Sequence, residues 1–311
     1  MNPLRLRSRW KPRSTATPAT KSFNLLRLKP RSTAAPTPTT KSLNLLRLKP
    51  RSTAALVVAS LVGVLAFGWP LLWQTDQAGE SAIGHTTDAP WLFVLLLPLL
   101  VAVVLAELSE SGIDAKVISL LGMLAAVGAA LRALGPGTAG LEPGFFLLVL
   151  AGRAFGAGFG FVLGAVSLLG GAMISGGVGP WMPFQMFACA WVGCLAGLLP
   201  RVSGRLELLM LAAYSLVAGV LYGVVMNLWF WPYATFGSDF SFVPGDALAD
   251  NLHRYFLFVI ATSLGWDIPR GVLCAVLVLA LGRPVLTAFR RTARKAAFDV
   301  PVVFESRRDD A

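Results

Sequence analysis

The sequence predicts an all-α membrane protein, a polytopic bundle of about eight transmembrane helices. Three observations carry that prediction. Hydrophobic residues make up 55% of the 311-residue chain, charged residues only 14%, and the mean hydropathy is +0.67. Several apolar segments approach or reach the roughly 20 residues that a helix needs to cross a bilayer. Arg and Lys gather beside alternate segment ends, the asymmetry that orients helices in a membrane.

The chain opens with a basic, repetitive tail, residues 1–53. Residues 1–55 hold thirteen Arg and Lys and no acid, so the net charge of +11 belongs to the tail and the remainder is close to neutral. A basic tail beside a first membrane helix is a positive-inside signal, not a nucleic-acid footprint. KPRSTA occurs at 11–16, 29–34 and 49–54, and KS-x-NLLRL at 21–28 and 41–48. Units this polar and Pro-rich have too little apolar surface to offset the entropy of ordering. The tail is expected to be a disordered cytoplasmic extension. Attachment to anionic membrane lipid through its Arg and Lys residues is the sharper reading; a transit peptide or an over-long reading frame are others.

Spans are expected at about 54–73, 91–108, 117–134, 143–153, 158–174, 183–199, 206–230 and 270–288. They divide the chain into two additional helices (54–112), a six-helix core (113–296) and a cytoplasmic C-terminal tail (297–311). This order puts both termini in the cytoplasm. It places Arg153, Arg201 with Arg205, and Arg290, Arg291, Arg294 and Lys295 on the inner side, and the acidic 74–90 loop outside. An alternative fuses 143–174 into one helix and makes 252–265 a span, but leaves Arg201 and Arg205 outside. In the preferred order His253 to Gly265 is an external or re-entrant helix, the latter tolerated only where protein or a water-filled cavity surrounds it.

Helix faces carry a second pattern. Gly152, Gly156, Gly160 and Gly164 recur every four residues. Arg153 and Gly158 are expected to interrupt this stripe with a turn, so that a tight helix pair shares it. Small residues let backbones approach closely inside lipid. Gly193/Gly197 and Gly219/Gly223 repeat the spacing, as do Ala125/Ala129 and Ala126/Ala130 in the span at 117–134. Internal packing explains all of these.

Polar groups at membrane depth are costly and so are functional candidates. Those on the predicted outer side converge. Arg132 and Glu142 flank a GPGTAG loop. Trp181 and Gln185 begin the span at 183–199; Asn227, Trp229, Trp231 and Tyr233 end the next; Asn251, His253, Arg254 and Asp267 follow. An aromatic-lined pocket with a few fixed polar groups suits a small organic ligand. Asn227 is the competing partner for Gln185, and an interfacial aromatic belt is the competing reading of Trp229 and Trp231. In WDIPR, Asp267 reads as a helix N-cap with Pro269 in the first turn.

Other chemistry is poorly served. Cys189, Cys194 and Cys274 lie in apolar segments and read as buried residues, not as disulfides or metal ligands. There is no GxxxxGK[ST] phosphate loop, so the chain is not itself an ATPase. Ser167 lacks a following glycine and His253 lies outside, which disfavours a protease dyad. No catalytic residue, metal or cofactor is expected.

The run Ser175 to Pro200, SGGVGPWMPFQMFACAWVGCLAGLLP, is a Gly/Pro turn leading into a span. This run and its apolar flanks, from about Asp114 to Lys295, resemble the substrate-binding S component of an energy-coupling factor (ECF) vitamin transporter. WDIPR resembles the start of the last S-component helix, with Arg270 in place of Lys. The resemblance implies a non-enzymatic binding subunit of an ECF-type ABC importer in the cell membrane. Its partners would be a transmembrane coupling subunit and two ATP-binding subunits. GGVGPWMPFQM looks most like the cobalamin branch. The substrate-binding residues would be Trp181, Gln185, Asn227, Trp231, Asn251 and Arg254. An alanine pair that docks the coupling subunit would be Ala125 and Ala129, with Ala126 and Ala130 as the other possible face. The family core has six helices, so residues 54–108 are an addition to it. The alternative is a non-transporting membrane scaffold or sensor worked by its basic tail.

Overall fold

The computed structural model describes residues 50–72, 94–95, 97–99, 101–103, 105, 115–133, 140–233 and 239–296. The chain divides into two units, Met1–Thr39 and Thr40–Ala311. The first unit, the acidic 74–90 loop, most of GPGTAG, the Tyr233 side chain and the 297–311 tail lie outside the described residues.

Within the second unit the described elements are α1 (Pro50–Leu72), α2 (Ala115–Ala133), α3 (Gly144–Phe155), α4 (Ala157–Ser175), α5 (Met182–Leu198), α6 (Arg205–Phe230), a 3-10 turn (Trp231–Tyr233), α7 (Leu248–Thr262) and α8 (Leu264–Ala296). The described residues between 94 and 105 are helical too, and none of the described residues is in a strand. Among the described residues four helices are long and apolar enough to cross a membrane: Lys116–Ala133, Ala157–Ser175, Arg205–Phe230 and Leu264–Arg294. Thr53–Gly68, α3 and α5 are apolar but shorter. The molecule is a multi-pass, all-helical membrane protein.

The short α3 exists because of Gly156. Its φ of 102° lies where only glycine is at ease, so the chain turns back between α3 and α4. This replaces the fused 143–174 helix with a tight pair, and puts the break between the expected interrupters Arg153 and Gly158. Both halves of the glycine stripe then meet α5. A Cβ on Gly193 would lie 2.7 Å from the carbonyl carbon of Gly160, so neither position has room for a side chain. Backbone contact of this kind replaces the hydrophobic drive that is missing in lipid.

α1 packs on the aromatic face of α5. Phe67 meets the Phe184 ring edge-on at 4.9 Å, and Trp191 Nε1 donates to Ser60 Oγ at 3.1 Å. At one end of the bundle Arg153 donates to Glu207 Oε1 at 2.7 Å and to the carbonyls of Leu199 (3.0 Å) and Val202 (3.2 Å). Arg290 bonds the same carboxylate. That staple joins α3, the α5–α6 loop, α6 and α8.

α8 starts six residues before the expected 270 and runs on to 296. Pro269 forfeits only the bond to Gly265 in the second residue of the helix, a tolerable loss so close to the start. Asp267 is therefore not an N-cap. It lies inside the helix, 2% exposed, and faces Arg270.

Candidate functional site

At the opposite end from the Arg153 staple, α2, α3, α4 and α5 form a small, partly open cleft. It is lined by Gly128, Arg132, Glu142, Gly144, Phe145, Leu148, Gly164, Ser167, Leu168 and Cys189. Helix length accounts for its place. The 12 residues of α3 rise only about 18 Å at 1.5 Å per residue. The 19 residues of α4 rise about 28 Å. The polar residues just before α3 are thereby set within the bundle.

The polar wall is a chain of paired groups. Arg132 Nη2 donates to Gln185 Oε1 at 2.9 Å. Arg132 Nη1 stands 4.0 Å from Glu142 Oε1. Glu142 Oε2 accepts from Arg270 Nε at 3.0 Å, and Arg270 Nη1 donates to Asp267 Oδ1 at 2.6 Å. Ser263 Oγ donates to the other Asp267 oxygen. The Arg270 guanidinium also lies over the Tyr222 ring (4.8 Å) and the Phe145 ring (5.6 Å), a favourable place for a desolvated cation. Two cations and two anions thus close on one another across α2, α3 and α8.

Ser167 is different. Its side chain is buried, 5% exposed, lines the cleft, and its Oγ has no hydrogen-bond partner. Most buried hydroxyls are paired, which makes this one a candidate contact for a ligand. Gly128 makes it possible: a Cβ there would lie 2.6 Å from Ser167 Oγ.

The candidate residues from the sequence divide into two groups. Gln185 reaches the cleft wall, bonded to Arg132 and not to Asn227. Trp181 lies beside it at the start of α5, 37% exposed, with its ring edge-on to Trp229 at 6.2 Å. Asn227 is buried nearby on α6, and its Nδ2 has no partner. Trp231, Asn251 and Arg254 are not brought to the cleft. Trp231 is fully buried and donates to the Phe240 carbonyl at 2.6 Å. Asn251 pairs its amide with both backbone groups of Val243 at 2.9 Å. Arg254 bridges to Asp246 at 2.7 Å. Trp231 ties Phe240 to the 3-10 turn, and Asn251 and Arg254 tie residues 243–246 to α7, so their polar atoms are engaged within the fold. Burial pushes the Tyr255 phenol well up, and its hydroxyl donates to the Val224 carbonyl from the same α7 face.

The alanine faces also divide. Ala125 and Ala129 are 6% and 3% exposed, turned inward, with the Ala129 Cβ 3.2 Å from where a Gly170 side chain would begin. Ala126 and Ala130 are exposed. Gly122 extends that open face one turn further, with nothing near it.

Sequence reasoning missed the cleft-lining role of Ser167, which was weighed only as a protease nucleophile. The signal was present in kind: a hydroxyl and two charges, Arg132 and Glu142, in apolar segments. What brings them together is the break at Gly156. Among the described residues no cluster of His, Cys, Asp or Glu could hold a metal ion.

A family model described as the ECF transporter, substrate-specific component, matches residues 116–282. That stretch begins at α2 and ends within α8, covering the cleft and leaving α1 outside. No curated protein and no solved structure matches the chain.

Proposed function

The chain belongs to the family of ECF transporter substrate-specific components, and from that premise we propose that it captures a vitamin-type micronutrient in the cleft between α2 and α5. Such a component is the substrate-specific subunit of an importer. It associates with the ECF membrane and ATPase components. In this reading the cleft opens outward and both termini are cytoplasmic.

The observation that carries the reading is Ser167 Oγ, buried and unpartnered inside a cleft that also holds Arg132 and Glu142. Trp181 and Trp229 form the rim, and Gln185 holds Arg132 in position. The exposed run Gly122, Ala126 and Ala130 is the face of α2 that meets the coupling subunit, because small side chains permit close helix approach. It takes the place of the inward-facing Ala125 and Ala129.

Cobalamin is the leading substrate, on the strength of GGVGPWMPFQM. The cleft is small and mostly apolar, with Arg132, Glu142 and Ser167 as its polar lining. Cobalamin would insert a side arm there and rest its ring on the Trp181–Trp229 rim. Co-expression with coupling and ATPase subunits, followed by ATP-dependent uptake of labelled vitamins, tests the function. Mass spectrometry of compounds released from the purified protein identifies the substrate. Absence of both uptake and a bound compound refutes the proposal.

A further inference from the structure

Resting on the reading of this cleft as the substrate site, we infer that it takes an uncharged, amide-type edge: a carbonyl beside an N–H, as in a lactam or carboxamide. Three observations converge on that class.

The first is charge closure. Arg132 and Glu142, one charge of each sign, are the charged residues lining the cleft among the described residues, and Arg270 and Asp267 pair behind Glu142. A ligand carboxylate would gain Arg132 but meet Glu142; an ammonium would gain Glu142 but meet Arg132. Either would leave an unbalanced charge in a largely buried place, where desolvation is costly. A neutral group adds none.

The second is the gap between Arg132 and Glu142. At 4.0 Å it is longer than the roughly 2.7–2.9 Å of a charge-assisted hydrogen bond. A donor and an acceptor therefore stand side by side without closing on each other. A carbonyl oxygen accepts from the guanidinium while the adjacent N–H donates to the carboxylate, which satisfies both without displacing either. Arg270 is not available for this, since Glu142, Asp267 and two aromatic rings already hold it.

The third is Ser167. Its unpartnered Oγ can donate or accept, so it adds a further bond to a neutral polar edge whichever way that edge lies. Phe145, Leu148 and Leu168 supply the apolar remainder of the wall.

Small probes test the class directly. The full-length protein in lipid nanodiscs is examined by saturation-transfer NMR with 2-pyrrolidinone (a neutral lactam), acetate and methylammonium. The expected result is binding of 2-pyrrolidinone at least about tenfold tighter than either ion, the equivalent of 1.4 kcal/mol. Ser167→Ala, a loss of one oxygen, is expected to weaken it at least about fivefold with the melting temperature unchanged. Equal or tighter binding of acetate or methylammonium overturns the inference. So does absence of 2-pyrrolidinone binding, or its survival unchanged in Ser167→Ala. Vitamin uptake by the same protein with its partner subunits separates the two readings. Uptake without lactam binding overturns only the ligand class; lactam binding without uptake overturns only transport.

Discussion

Replacing Glu207 by alanine strands a guanidinium inside the bundle. Glu207 is 3% exposed, and the Arg153 and Glu207 side chains that pair at 2.7 Å are 6% and 4% exposed. Without the carboxylate Arg153 keeps its two carbonyl acceptors, Leu199 and Val202, but has no buried anion to balance it. Removing one partner of such a pair costs about 3–5 kcal/mol. For a protein of this size each kcal/mol lowers Tm by about 2–4 °C, so Glu207→Ala is expected to melt on the order of 10 °C below the parent. Arg290→Ala is the internal control: its side chain is 44% exposed, and an exposed partner is worth about 1 kcal/mol or less. The double variant Arg153→Met/Glu207→Met removes both charges and is expected to recover much of the loss. Thermal unfolding of nanodisc-held protein, followed by tryptophan fluorescence, reads all four proteins. Equal Tm values for Glu207→Ala and Arg290→Ala would refute the reasoning, because burial would then not be what gives the pair its weight.

Other outcomes follow from the packing and the cleft. Gly193→Leu drives a side chain into the Gly160 backbone and is expected to cost about 3 kcal/mol or more, seen as loss of folded protein on size-exclusion chromatography. Ala126→Trp on the open face of α2 is expected to abolish uptake and co-purification of the coupling subunit while ligand affinity stays intact. Ala129→Trp, on the inward face, is expected to lower Tm; the reverse pattern would return docking to the inner face. Gln185→Ala frees Arg132 and is expected to raise the ligand Kd about tenfold, the worth of one charge-assisted contact. Asn251→Ala loses three hydrogen bonds, about 3 kcal/mol in all, and is expected to lower Tm with Kd unchanged. An affinity loss in Asn251→Ala equal to that in Gln185→Ala would put α7 in the binding site.

Much of this was legible in the chain. Apolar length, Gly spacing and the Arg pattern pointed to the tight α3–α4 pair and to a helix at 253–265, which the structure places at 248–262, because each depends on local composition. The long-range partners were not legible. Trp231 and Asn251 have the residue types of a ligand site, yet their polar atoms close on the backbone of Phe240 and Val243. A residue type cannot tell whether its partner is a ligand or a loop eight or nine positions away. Ala125/Ala129 and Ala126/Ala130 have the same spacing one residue apart, so rotation of α2 alone decides which pair faces inward. Asp267 looked like a cap because Pro269 follows, and only the start of α8 at Leu264 shows it inside the helix.

The turn at Gly156 has a consequence for how the protein is made. A nascent chain is sorted into the membrane according to whether an emerging segment can bridge the hydrocarbon layer of about 30 Å. α3 cannot do so alone, since its 12 residues extend only about 18 Å. Insertion together with α4, as a hairpin whose tip is Gly156, is the route expected on length. Arg153 lies three residues before that tip, so a charge sits at the bend of the hairpin. Only afterwards do α6 and α8 arrive to cover the charge with Glu207.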